Sequence, residues 1–261
     1  MADPRVEKLA QVIVGYSVAV RPRDRVVIEG DSLAEPLLKA VYVETLKAGG
    51  HPLMRVTLPG MEDLFFKHAS DEQLQHVPEP LKLTTETYDV RIAIGGADNT
   101  RALTSVDPAR MVLHQQARTD LMKVFMRRSA AGELRWTYVV FPTNAYAQDA
   151  EMSLGEYEDF VYRACLPDMN DPVGYWRRFS ERQQKVVEWL KGKEWLHVVG
   201  PDTDLRVGIS GRSFVNCDGR YNMPDGEVFT GPVEDSVEGH VFFSYPAIYG
   251  GREVTGVRLW F

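Results

Sequence analysis

The chain has 261 residues, 44% of them hydrophobic and 26% charged, and carries a formal net charge of -7. This composition is too apolar for intrinsic disorder and lacks the basic excess that neutralising nucleic-acid phosphates requires, so a nucleic-acid partner is not expected. The length is comfortable for about two domains. Cys165 and Cys217 lie far apart with no CxxC or Cys/His spacing, which excludes a disulfide scaffold or zinc knuckle and fits a reducing cytoplasm.

The opening residues show no secretory pattern, because Glu7, Lys8 and Gln11 interrupt the apolar stretch over 6–20. Nowhere do about 18 apolar residues run together, so no membrane-spanning helix is expected. Val6, Leu9, Ala10, Ile13, Tyr16, Ser17 and Val20 follow the spacing of one buried helical stripe. A turn at Pro22 to Asp24 leads into Arg25 to Glu29, a β-branched run of buried-strand type. Ser32 with Glu35 makes a capping-box signature for a helix from Leu33 to about Ala48, stopped by Gly49-Gly50. His51 to Leu58 reads as a second strand.

The same alternation continues with a strand at Val90 to Ile94, a long helix from about Pro108 to Ala131, and a strand at Trp136 to Phe141. Strand, helix, strand units of this length require parallel crossovers, so the fold class is α/β with a mostly parallel, doubly wound sheet flanked by helices. Residues 144–191 are helical in pattern and charge-rich. From Glu194 onward the chain is strand-like, at Trp195 to Val199, Leu205 to Ile209, Val237 to Ser244 and Val254 to Phe261. The change of texture places a boundary near residue 185.

Few motifs carry chemistry. The turns at Gly30-Asp31-Ser32 and Gly95-Gly96-Ala97-Asp98 end parallel strands, where such sheets bind ligands, but neither has a phosphate-binding glycine signature. No GxSxG nucleophile elbow occurs, and His51, His68, His76, His114, His197 and His240 form no metal-binding pair. Cys217 has no histidine near it in sequence, which gives little ground for a catalytic thiolate. The densest acidic stretch outside a helix runs from Asp225 to His240. Within it Glu227 stands between Gly226 and the apolar pair Val228-Phe229, which would seat its carboxylate against a core.

The segment Asn222-Met-Pro-Asp-Gly-Glu-Val-Phe-Thr-Gly-Pro232, followed by Val237-Glu-Gly239, resembles the first metal-ligand motif of the aminopeptidase T / aminopeptidase S type of metallo-exopeptidase. Gly200 to Gly208, and Leu9 to Gly50 with its Leu-Lys-Ala-Gly-Gly-His-Pro helix end, are similar to the same family. Gly231 departs from it, since alanine is common there. The resemblance implies a cytoplasmic, homodimeric aminopeptidase that uses two divalent ions (zinc, cobalt or magnesium) to release the N-terminal residue of peptides. It makes Glu227 a metal ligand. The family's other ligands and its catalytic tyrosine match nothing in this sequence, His240 included.

On that reading residues 1–185 form an N-terminal α/β domain and residues 186–261 the truncated beginning of a β-rich catalytic domain. The chain alone is then expected to be inactive. Two alternatives are a non-catalytic dimerisation module and a small-molecule binder at the switch point of the sheet, near Asp31 and Gly95-Gly96.

Overall fold

The computed structural model describes residues 3–249 and 251–261. Helix α1 (Pro4–Val12) begins at Asp3, whose side chain accepts the Arg5 backbone N–H at 2.9 Å, and its last turns widen into a π segment, Ile13–Ser17. The expected stripe holds, with Val6, Leu9, Ala10, Ile13, Tyr16 and Ser17 all buried. Strand β1 (Arg25–Asp31) leads through a 3-10 turn, Ser32–Ala34, into α2 (Glu35–Lys47), and β2 (His51–Thr57) follows. The capping box is not formed. The 3-10 turn separates Ser32 from the helix proper, and Glu35 pairs with Lys39 instead.

Three short helices, α3 (Met61–His68), α4 (Asp71–Gln75) and α5 (Glu79–Thr87), fill the connection to β3 (Val90–Gly95). The long helix expected over 108–131 is two, α6 (Pro108–Ala117) and α7 (Thr119–Ala130). The chain leaves helical geometry at Arg118 (φ −97°, ψ 2°), whose guanidinium donates to the His114 carbonyl at 3.2 Å. The break has a packing cause. Helix α6 serves a small separate core around Phe66, Leu74, Leu103 and Val106, whereas Phe125 of α7 packs on Trp136 of the main sheet.

Strand β4 (Arg135–Val140) precedes α8 (Asn144–Asp149), α9 (Leu154–Cys165) and α10 (Pro172–Leu190). Then come β5 (Trp195–Gly200), β6 (Thr203–Gly208), β7 (Val215–Cys217), β8 (Asn222–Met223) and β9 (Glu227–Phe229). Strands β10 (Val237–Phe243), β11 (Ala247–Tyr249), β12 (Arg252–Val254) and β13 (Val257–Trp260) complete the described chain.

The main sheet has the order β2-β1-β3-β4-β8 and every pairing in it is parallel. One face, through Val26, Ile28, Val90, Ile92, Ile94 and Val139, builds the principal core with α1, α2, α9 and α10. The opposite face carries a charge ladder in which Glu29 pairs with Arg55 at 3.1 Å and with Arg91. Helices on both faces make this the doubly wound α/β architecture expected.

A second, antiparallel sheet has the order β13-β10-β6-β5, and two small pairs, β11-β12 and β7-β9, stand apart. The boundary placed near residue 185 falls inside α10. Strand β8 lies beyond it and returns to the edge of the first sheet, where Met223 joins the principal core. No helix of the described residues is long and apolar enough to cross a membrane.

Candidate metal centre

Residues 215–229 form a hairpin held over the end of the main sheet. Strands β7 and β9 pair antiparallel with Cys217 opposite Glu227, which puts both side chains on one face. Between them β8 pairs with β4, Tyr138 opposite Asn222 and Val139 opposite Met223, so Pro224 to Gly226 emerge at the carboxyl end of a parallel strand. The Met223–Pro224 peptide bond is cis.

Two glycines are required by this path. Gly219 has φ +92° and a Cβ there would meet Met223 Cε at 2.9 Å, while Gly226 has φ +143° and would meet Phe179 at 3.3 Å. Gln183 of α10 locks the hairpin from below. Its buried Nε2 faces Asn216 Oδ1 at 2.7 Å and the carbonyls of Cys217 and Glu227 at 2.9 Å each.

The outcome is a group of three donors. One ligand atom each from Cys217, Asp225 and Glu227 lies within 4.8 Å of the others. The Asp225 carboxylate takes backbone N–H bonds from Gly226 at 2.9 Å and Gly219 at 3.3 Å, yet burial still holds its carboxyl above the ordinary range. Burial, together with the carboxylates of Asp225, Glu227 and Asp218, pushes the Cys217 thiol up to about 11. Without a cation the thiol is therefore protonated at neutral pH, which removes a free catalytic thiolate. Two carboxylates and a sulfur suit a divalent cation, whose charge would reverse both effects.

Glu227 itself is exposed, and Phe229 is half exposed. The expectation that Val228-Phe229 would seat its carboxylate against a core is not met. Glu227 shares a face with the buried Cys217, but strand β9 is three residues long and pairs on one edge only, with β7, so the Glu227 carboxylate is left open to solvent. No histidine joins the group among the described residues. His197 Nε2 lies 2.8 Å from Asp204 in the antiparallel sheet, His240 sits opposite Trp260 and Asp204, and His114 packs edge-on between Phe65 and Phe66.

A model of the family described as thermophilic metalloprotease (M29) matches residues 2–261. The chain belongs to that family. The chain is 24% identical to Aminopeptidase 2 of Geobacillus stearothermophilus, over 99% of its own length and 68% of the relative's. It is 25% identical to Aminopeptidase T of Thermus thermophilus, over 97% and 67% respectively. Aminopeptidase T of Thermus aquaticus is 31% identical over 64% of this chain and 45% of its own. The solved structure of wild-type AmpT from Thermus thermophilus superposes with a TM-score of 0.83 at 21% identity, covering 99% of this chain and 69% of that one, and shows the same fold. This M29 chain thus spans about two thirds of the length of the first two relatives.

Of the residues singled out by sequence, Glu227 lies in the donor group and Asp31 and Gly95-Gly96 lie elsewhere. The Asp31 carboxylate accepts the Gly96 N–H at 2.8 Å and so ties two strand ends together, beside an open groove of about 580 Å³. Cys217 and Gln183 escaped sequence reasoning as parts of the site. A hairpin signal was available for Cys217, since Phe214-Val215 and Val228-Phe229 flank a run of turn-forming residues. Nothing in the sequence marks Gln183 apart from the other polar residues of its helix.

Proposed function

We propose that this chain carries part of the metal-binding machinery of a metal-dependent aminopeptidase acting on the N-terminal residue of peptides, with Glu227 as a ligand. The observation that carries the reading is the donor group at the end of β8, in a chain of M29 membership whose relatives are named aminopeptidases. Two divalent ions, of zinc, cobalt or magnesium, are the cofactors proposed. When bound, such ions lower the pKa of water, polarise a carbonyl and hold a free amine. The chain's own part is to present Glu227 on a hairpin locked by Gln183 and Gly226.

A two-cation site needs several carboxylates and imidazoles converging, and among the described residues one thiol and two carboxylates gather here without a histidine. Glu227 is accordingly one member of a site completed by groups outside this cluster. The isolated chain has weak metal affinity and negligible turnover. The test is an assay with aminoacyl chromogenic substrates and added cobalt or zinc, alongside calorimetric metal titration. Turnover of about 1 s⁻¹ or more that disappears in Glu227→Ala would keep the ligand and overturn the incompleteness. Metal binding unchanged in Glu227→Gln would remove the ligand assignment itself.

A homodimer working in the cytoplasm completes the proposal. Both cysteines are free thiols. Exposed Val199, Tyr245, Trp260 and Phe261 on or beside the antiparallel sheet supply an apolar surface of the kind that promotes association. The same surface favours the second reading, in which this chain serves assembly rather than chemistry. Light scattering across a dilution series addresses both, and a constant monomer mass would count against dimerisation.

A further inference from the structure

Both cysteines of this chain are buried, but in different company. Cys165 belongs to the principal hydrophobic core, where a buried thiol behaves as one more small apolar group. Cys217 is 2% exposed and belongs to neither hydrophobic core. Gln183 engages its carbonyl, but among the described residues its thiol makes no hydrogen bond. What surrounds that thiol is charge. Its Sγ lies within 4.8 Å of a carboxylate oxygen of Asp225 and of one of Glu227.

The two carboxylates have no cation of their own. Among the described residues neither Asp225 nor Glu227 forms an ion pair, and Arg220 of the same hairpin stands 3.6 Å from Asp218 instead. Asp225 accepts the backbone N–H groups of Gly219 and Gly226, while the Glu227 side chain has no hydrogen bond among the described residues.

The donors are also fixed in place. Cys217 and Glu227 stand opposite each other in the β7-β9 pair, and the one Gln183 amide ties both their carbonyls at 2.9 Å. A group held this way is preorganised for a ligand. Sulfur decides which ligand suits it. Magnesium prefers oxygen donors and keeps its waters, whereas zinc and neighbouring transition ions take a thiolate.

We propose that Cys217 and Asp225 hold one cation together with Glu227, Cys217 as its thiolate, and that the sulfur makes this centre select zinc or cobalt over magnesium. On binding, a sulfur–metal bond replaces the S–H bond and the thiol proton passes to solvent. The inference rests on the reading of Glu227 as a ligand; the resemblance to aminopeptidases assigns that residue and neither of the others.

The test is a titration of the full chain with cobalt chloride, read as near-ultraviolet sulfur-to-cobalt charge transfer beside the visible d–d bands. A charge-transfer band saturating at one cobalt per chain is expected in the unaltered protein. It is expected equally in Cys165→Ala, where Cys217 is the one cysteine left. That variant assigns the sulfur without disturbing the hairpin. Cys217→Ser should lose the band and bind cobalt about tenfold or more weakly, at least the scale of losing a supporting group of a metal site. Zinc should displace the bound cobalt, and magnesium in equal excess should not.

Glu227→Gln separates the two readings. Weaker cobalt binding with the band retained at saturation supports both. The band at unchanged affinity would remove Glu227 as a ligand and leave Cys217 in place. Visible bands without charge transfer, in the unaltered protein and in Cys165→Ala, would overturn the sulfur ligand and leave Glu227 to be judged by its own titration. Displacement of cobalt by magnesium would overturn the selectivity, and absence of any saturable cobalt absorption would overturn both readings.

Discussion

The two large sheets of this molecule are built from similar residues and reach opposite states. Val26, Ile28 and Ile92 of the parallel sheet are wholly buried, whereas Val199 and Trp260 of the antiparallel sheet are 69% and 70% exposed. In β5, β6, β10 and β13 the one buried residue is Gly208. The parallel sheet has helices against both faces, as parallel sheets require, and its strands read as near-continuous apolar runs. The antiparallel sheet has no such cover among the described residues. Strand composition by itself therefore does not report burial; the cover supplied by neighbouring helices decides it.

Substitution at matched positions breaks or sharpens this contrast. Ile92→Ala should cost about 2–5 kcal/mol by denaturant unfolding, the range for truncating a fully buried aliphatic residue. Met223→Ala should cost a similar amount despite lying in the strand-rich part of the chain, because Met223 belongs to the core of the parallel sheet. A loss under about 0.5 kcal/mol at Met223, typical of surface sites, would detach β8 from that core.

Gln183→Leu comes next. It strips the bond to the Cys217 and Glu227 carbonyls and should cost about 1–3 kcal/mol, with the loss appearing also as weaker metal binding by the hairpin.

A smaller effect depends on pH. Burial raises the Cys165 and Cys217 thiols from an ordinary value near 9 to about 12 and about 11. The folded chain thus holds protons that the unfolded chain releases. Their contribution is fully present below about pH 9 and is lost as pH rises through the folded values. Urea midpoints measured from pH 8 to 11 should fall, and less steeply in Cys165→Ala; a flat profile would contradict the burial of both thiols. The smallest effect is expected for Val199→Ala, within about 0.5 kcal/mol.

Much of the parallel sheet was legible because β1, β2, β3 and β4 announce themselves by β-branched runs ended by turn residues. The helices between β2 and β3 were not, since Met61 to Thr87 hold only Phe66, Leu74 and Thr84 buried. The break at Arg118 was hidden for another reason. Apolar spacing continues through it, and only the existence of two separate cores explains why the chain bends. In the donor group, Glu227 is singled out by its motif, whereas Gln183 contributes through a contact between remote segments that no local pattern encodes.

The two residues of β8 join the sheet by pairing with Tyr138 and Val139, which precede them by the whole of α8, α9 and α10. Closing so long a stretch of chain is entropically expensive and brings a very short ladder in return. Order of folding follows from this. We expect the hairpin bearing Cys217, Asp225 and Glu227 to reach its place only after α10 has docked with Trp176 and Gln183 in position. The donor group would then be one of the last features to form in a newly made chain, its appearance marking completion of the sheet beneath it.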